Sequence, residues 1–175
     1  PALVYFHGGG FVFGGLDTHD TLCRTLANQM TGTVVSVDYR KAPEAKFPGA
    51  VDDCVAALRQ VPKVLADLNL HPLHLCLAGD SAGGGLAVVS YLLAGDMPLP
   101  IRRLALFYPV ADLRMCSGSH ERFANGLPVS HATMNWFASH YLRTSEDALD
   151  WRASPLLSED LHRLPSTYVA TAGFD

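Results

Sequence analysis

The sequence predicts an α/β protein with a mostly parallel sheet covered by helices on both faces. Three observations carry that prediction. Short β-rich runs alternate with helical patterns, as they do where parallel strands are joined by helical crossovers. The runs are apolar along most of their length rather than alternating, as Leu75-Cys76-Leu77-Ala78 shows, and strands buried on both faces read that way. The third is glycine placement, with clusters following the first and third runs.

The elements follow in order. Strands are expected at 2–6, 33–38, 73–78, 103–108 and 167–172. A first helix is predicted from Asp17 as N-cap, with Leu22, Leu26 and Met30 at helical spacing and Gly32 as its end. A second begins near Pro48 with Val51, Val55 and Leu58 on one face, and Pro62 is expected to kink or divide it. A third follows Ser81 and runs to about Ala94. Residues 112–152 break the rhythm. Met134, Phe137 and Tyr141 suggest a helix where a strand was due, so this stretch reads as an insertion over the sheet. Pro1 leads straight into a strand, and only three residues follow the last predicted one. Residues 1–175 therefore read as the central part of a single domain, truncated at both ends.

Composition narrows the function. The chain has 175 residues, 49% hydrophobic and 17% charged, with a net charge of -4 and no long basic block. These features predict a soluble domain and remove the electrostatic case for nucleic acid. The longest mostly apolar stretch, Leu86 to Ala94, is well short of the roughly 20 residues of a spanning helix. Cys23, Cys54, Cys76 and Cys116 are widely spaced without a CxxC, which reads as free thiols in a reducing, cytoplasmic setting. His71 and His74 have no Cys/His or HExxH company, so neither a metal nor another cofactor is expected.

Two motifs carry chemistry. Gly79-Asp80-Ser81-Ala82-Gly83 lies between an apolar strand and an apolar helix. A sharp strand-to-helix turn strains its middle residue and crowds the positions two before and two after, which glycines relieve. Ser81 would then stand at a helix N-terminus as a nucleophile, with the Ala82 N–H aimed at a developing oxyanion. The pentapeptide alone also fits a glycine-rich connection holding an incidental serine. His7-Gly8-Gly9-Gly10 follows the first strand, and its glycines expose N–H groups that side chains would shield. It reads as the second half of an oxyanion hole, against a plain tight turn. A dinucleotide fingerprint beginning at Gly8 would need glycine at 13, where the chain has Phe13, and no lysine follows either cluster as a phosphate loop requires. Asp175 stands just beyond the last predicted strand, at the edge where open parallel sheets place their sites. Position alone leaves it either a triad acid or a solvated turn residue.

Together, His7-Gly8-Gly9-Gly10-Phe11, Val37-Asp38-Tyr39-Arg40-Lys41-Ala42-Pro43-Glu44, Phe47-Pro48-Gly49-Ala50, Gly79-Asp80-Ser81-Ala82-Gly83-Gly84, Ser154-Pro155-Leu156-Leu157 and Thr171-Ala172-Gly173-Phe174-Asp175 resemble the hormone-sensitive-lipase family of esterases. The resemblance spans nearly the whole chain. It implies an α/β-hydrolase fold and metal-free hydrolysis of short to medium acyl esters through an acyl-enzyme. It makes Ser81 the nucleophile, Asp175 the triad acid, and Gly8, Gly9 and Ala82 the oxyanion donors, with Gly10 the alternative to Gly8. It gives residues 112–152 a cap role, with Met134, Trp136, Phe137 and Tyr141 either lining an acyl pocket or packing. The family's catalytic histidine follows a further helix and strand, and none of the eight histidines here matches it. The chain alone is therefore expected to be almost inactive. A non-catalytic small-molecule receptor on the same scaffold, or an amide deacetylase, remain alternatives, and the expected partner is a small ester.

Overall fold

A computed structural model of the chain describes residues 1–125 and 129–174. Five strands form one sheet: β1 (Ala2–Phe6), β2 (Thr33–Val37), β3 (Leu75–Asp80), β4 (Ile101–Phe107) and β5 (Ser166–Ala170). Their spatial order is β2-β1-β3-β4-β5, and every neighbouring pair is parallel. Each crossover up to β4 is a helix: α1 (Leu16–Met30), α2 (Gly49–Asp67) and α3 (Ala82–Ala94).

Register decides which side chains share a face. Val4 pairs with Val35 and Leu77, and Leu77 pairs with Leu104. These residues, with Phe6 and Leu106, belong to the main core beneath α2 and α3, where Val51, Leu58, Leu86 and Val89 are fully or almost fully buried. Burying each such side chain is worth about 1.5–3 kcal/mol before entropy is counted. On the opposite face Leu3, Tyr5 and Ala78 pack with Cys23, Leu26 and Met30 of α1.

Several expectations shift. Coverage of both faces holds at β1 and β3 but not at β4 and β5, where Arg103, Tyr168 and Val169 are exposed. The cap of α1 is Gly15 and not Asp17, because the chain turns at Gly14 and Gly15. Asp17 falls in the first helical turn, where a carboxylate favours the helix dipole. The left-handed residue closing this helix is Thr31, with φ 49°, rather than Gly32. Pro62 does not divide α2, which runs unbroken from Gly49 to Asp67. Val61 and Leu65 are buried beside it, and that tertiary packing offsets the lost backbone bond. Strand β3 reaches Asp80, two residues beyond its predicted end, because its register with β4 continues from Gly79–Leu106 to Asp80–Phe107.

Between β4 and β5 the chain leaves the sheet for a helical excursion holding α4 (Gly118–Arg122), α5 (His131–Tyr141) and three 3-10 turns. Among the described residues no helix is long and apolar enough to cross a membrane.

Candidate active site

Ser81 follows the last residue of β3 and is the N-cap of α3, with φ 51° and ψ −120°. A non-glycine residue there costs on the order of 1–3 kcal/mol and persists only where surroundings over-determine it. They do so here. The Ser81 N–H donates to Phe107 O at 2.8 Å, and its carbonyl accepts from Gly84 N at 3.0 Å, Gly85 N at 3.3 Å and Val110 N at 2.9 Å. The glycines of the turn are required by contact: a Cβ at Gly79 would collide with the Gly83 carbonyl, and one at Gly83 with Phe6 O. The start of α3 thus lies directly on the end of β1, and Ala82, fully buried, presents the first helical N–H beside the serine.

Beyond Ser81 opens a cavity of about 460 Å³, lined by Val110, Phe123, Met134 and Leu156 on its apolar side and by His120 and His131 among its polar groups. Of the four aromatic and sulfur residues expected along α5, Met134 lines this cavity. The other three pack elsewhere: Trp136 and Phe137 against Phe13, and Tyr141 between Phe11 and Phe47. Among the described residues no histidine is hydrogen-bonded to Ser81.

The His7–Gly10 loop turns over Gly9, whose carbonyl accepts from Val12 N and Phe13 N at 3.0 and 2.8 Å. His7 is fully buried and stacked on Tyr39, ring centroids 4.3 Å apart. Its Nδ1 lies 2.7 Å from Gly8 O, and the Tyr39 hydroxyl donates to His7 O at 2.7 Å. Burial lowers the imidazole pKa below 6.5, the Gly8 contact partly opposing it. The Gly8 amide, expected as an oxyanion donor, has a partner within the fold. Its N–H donates to Asp80 Oδ1 at 2.9 Å and so is turned into the fold. No such bond engages Gly9 or Gly10 N–H among the described residues. The sequence reading missed this use of Asp80, although Asp80 stands inside the pentapeptide, because the partner is 72 positions away.

Asp175 lies outside the described residues. The last residue described, Phe174, packs edge-on to Phe123 of the cavity wall, ring centroids 5.7 Å apart. Among the described residues no group of three His, Cys, Asp or Glu side chains is placed to hold a metal.

A family model described as alpha/beta hydrolase fold matches residues 3–175. The chain belongs to the α/β-hydrolase fold family. Its relatives agree with the esterase resemblance of its motifs. The carboxylic ester hydrolase LipN of Mycobacterium tuberculosis is 40% identical over 183 residues, covering 100% of this chain and 48% of LipN. The ethyl acetate hydrolase of Pseudomonas putida is 40% identical over 158 residues, covering 89% of this chain and 50% of that protein. Among solved structures, an esterase of Pyrobaculum calidifontis superposes with a TM-score of 0.91 at 41% identity, covering 100% of this chain and 58% of that one. The chain thus spans about half the length of the curated relatives it matches. In this α/β-hydrolase chain the parallel sheet brings the His7 loop, the Ser81 turn and the end of β5 to one edge.

Proposed function

We propose that the whole protein is a serine carboxylesterase acting on esters of short to medium acyl chains. The observation that carries this reading is Ser81 itself, held at positive φ on a helix N-terminus above an apolar-walled cavity. Ester hydrolysis by the relatives supports it. Ser81 Oγ attacks the ester carbonyl carbon as its proton passes to a histidine, and the carbonyl π pair moves onto oxygen. The N–H groups of Gly9, Gly10 and Ala82 receive that oxyanion. Gly10 takes the place first given to Gly8, because the Gly8 N–H is already bonded to Asp80. Collapse expels the alcohol, which takes the proton from the imidazolium and leaves an acyl-serine. Water then attacks the acyl-serine with the same histidine as base, releasing the acid and restoring Ser81.

In this reading the base is a histidine outside these 175 residues, since none of the eight present is bonded to Ser81 among the described residues, and the relatives' greater length accommodates one. Asp175 is its orienting acid, as the likeness of Thr171-Ala172-Gly173-Phe174-Asp175 to the esterase motif implies. The excursion between β4 and β5 acts as part of a cap, with Met134 and Phe123 against the acyl chain. Four free cysteines are consistent with a reducing compartment.

The test is turnover of a nitrophenyl butyrate by the whole protein and its Ser81→Ala variant, with labelling of Ser81 by a nitrophenyl phosphonate. We expect the variant to lose about 10⁶-fold in kcat and all labelling. Turnover that survives Ser81→Ala overturns the reading.

A further inference from the structure

We propose that Asp80, Tyr5 and His19 form a positioning unit that holds the oxyanion loop in register with the nucleophile turn. The unit converges on one atom. Asp80 Oδ1 accepts from the Tyr5 hydroxyl at 2.8 Å and from Gly8 N–H at 2.9 Å, and His19 Nε2 lies 3.3 Å from it. The three partners come from β1, from the loop after it and from α1, while Asp80 itself ends β3 directly before Ser81. One carboxylate oxygen therefore joins β1, the loop after it and α1 to the end of β3.

Each partner is itself fixed. Tyr5 is 1% exposed, and burial together with the Asp80 charge pushes its hydroxyl well above the ordinary tyrosine range, so it stays a neutral donor. The His19 ring is held at its other nitrogen, where Nδ1 lies 2.8 Å from Thr18 Oγ1. Gly8 rests against the carboxylate so closely that a Cβ there would collide with Asp80 Oδ2. Asp80 is not among the residues lining the Ser81 cavity, so it acts through the loop and not on substrate. Hydrogen bonds to a carboxylate are stronger than neutral ones, and here two of them, from Tyr5 and from the Gly8 amide, meet on one oxygen. A displacement of about 1 Å in such a site costs on the order of 10²-fold in rate. With the Gly8 amide anchored in this way, the next two amides, Gly9 and Gly10, are left to face the reacting carbonyl. That last step rests on the esterase reading above; the anchoring does not.

The experiment compares the whole protein with Asp80→Ala, Asp80→Asn, Tyr5→Phe, His19→Ala and the Asp80→Ala/His19→Ala double variant. Hydrogen–deuterium exchange is followed on the peptide covering residues 6–13. In parallel, kcat and KM for nitrophenyl butyrate are measured per site titratable with a nitrophenyl phosphonate. Asp80→Ala is expected to speed exchange at least about tenfold and to lower kcat about 10²-fold, with KM held within about threefold. Asp80→Asn, which keeps an acceptor oxygen, should recover part of both losses. Tyr5→Phe and His19→Ala should each cost up to about tenfold, and the double variant should be no worse than Asp80→Ala alone. Unchanged exchange in Asp80→Ala, a kcat loss that vanishes once sites are titrated, or fully additive losses in the double variant overturns the proposal. If the unaltered protein hydrolyses no ester, the esterase reading falls by itself and the exchange measurement alone decides the anchoring.

Discussion

The rings of Phe11 and Tyr141 lie parallel, 3.9 Å apart with an interplanar angle of 7°. Phe11 belongs to the loop that follows His7-Gly8-Gly9-Gly10, and Tyr141 is the last residue of α5, so one stacked pair ties the helical excursion to the proposed oxyanion loop. Phe47 meets Tyr141 edge-on at 5.7 Å, and its N–H donates to Tyr141 O at 2.8 Å.

Tyr141 is fully buried, yet among the described residues its hydroxyl has no hydrogen-bond partner. Removing an unpaired buried hydroxyl relieves a desolvation cost. Tyr141→Phe should therefore leave stability unchanged or raise it by up to about 1 kcal/mol, whereas Tyr141→Ala should cost about 3–5 kcal/mol through the lost stack. Urea denaturation of both variants checks the sign of the difference.

Gly10 has φ +61°, and a Cβ there would collide with the Phe137 ring of α5. Gly10→Ala should thus cost about 1–3 kcal/mol from backbone strain and crowding together. Adding Phe137→Ala should return the crowding part and leave the strain. A double-mutant cycle in thermal unfolding reads the coupling, and strict additivity would show that the ring moves aside freely.

The buried imidazole of His7 presents its Nδ1 to Gly8 O, while Nε2 has no partner among the described residues. Burial holds its pKa below the ordinary 6.5, so the unfolded chain binds this proton at a higher pH than the folded one. Stability should then fall as pH drops below about 6.5. Thermal midpoints between pH 7.5 and 5.5 should decline in the unaltered protein. They should be flatter in His7→Asn, whose amide can still donate to the Gly8 carbonyl but does not titrate.

The same sign applies to Asp147, in a more acidic window. Its carboxylate accepts from Arg143 Nε at 3.0 Å and Nη2 at 2.7 Å, and from Arg143 N at 2.9 Å. The Arg143 side-chain bonds lead in lowering its pKa from 3.8 to about 2, against a smaller opposing effect of burial. Its contribution is present above about pH 4 and lost as pH falls toward 2. Asp147→Asn should remove that part of the acid limb, measured by circular dichroism across the same range.

Sequence legibility followed the range of the interactions. Strand β1 was readable to the residue because its apolar run is bounded by Pro1 and a glycine cluster, and the strained turn at Ser81 was readable because its strain is local and leaves glycines beside it. The role of Gly8 was not, since it depends on a carboxylate on β3 that only the sheet register brings near. Likewise Trp136 and Phe137 share α5 with Met134, yet contact with Phe13 draws them away from the cavity, and helical spacing does not encode that partner. Pro62 misled for the opposite reason: its local penalty is real, but tertiary burial of Val61 and Leu65 outweighs it.

The excursion from Tyr108 to Pro165 begins and ends on adjacent strands, since Tyr108 N–H donates to Ala170 O at 2.6 Å and β4 pairs directly with β5. A segment anchored at two neighbouring points can lengthen, shorten or be replaced with only a logarithmic change in closure entropy. Much of the wall facing Ser81 is drawn from this span, while the carbonyl of Ser81 itself is held by two amides of α3, Gly84 and Gly85, and by Val110 at the span's first turn. Splicing at Ala111 and Leu164 leaves all three of those amides in place but removes Tyr141 from its stack on Phe11, so a grafted wall has to bring an aromatic ring of its own to that spot.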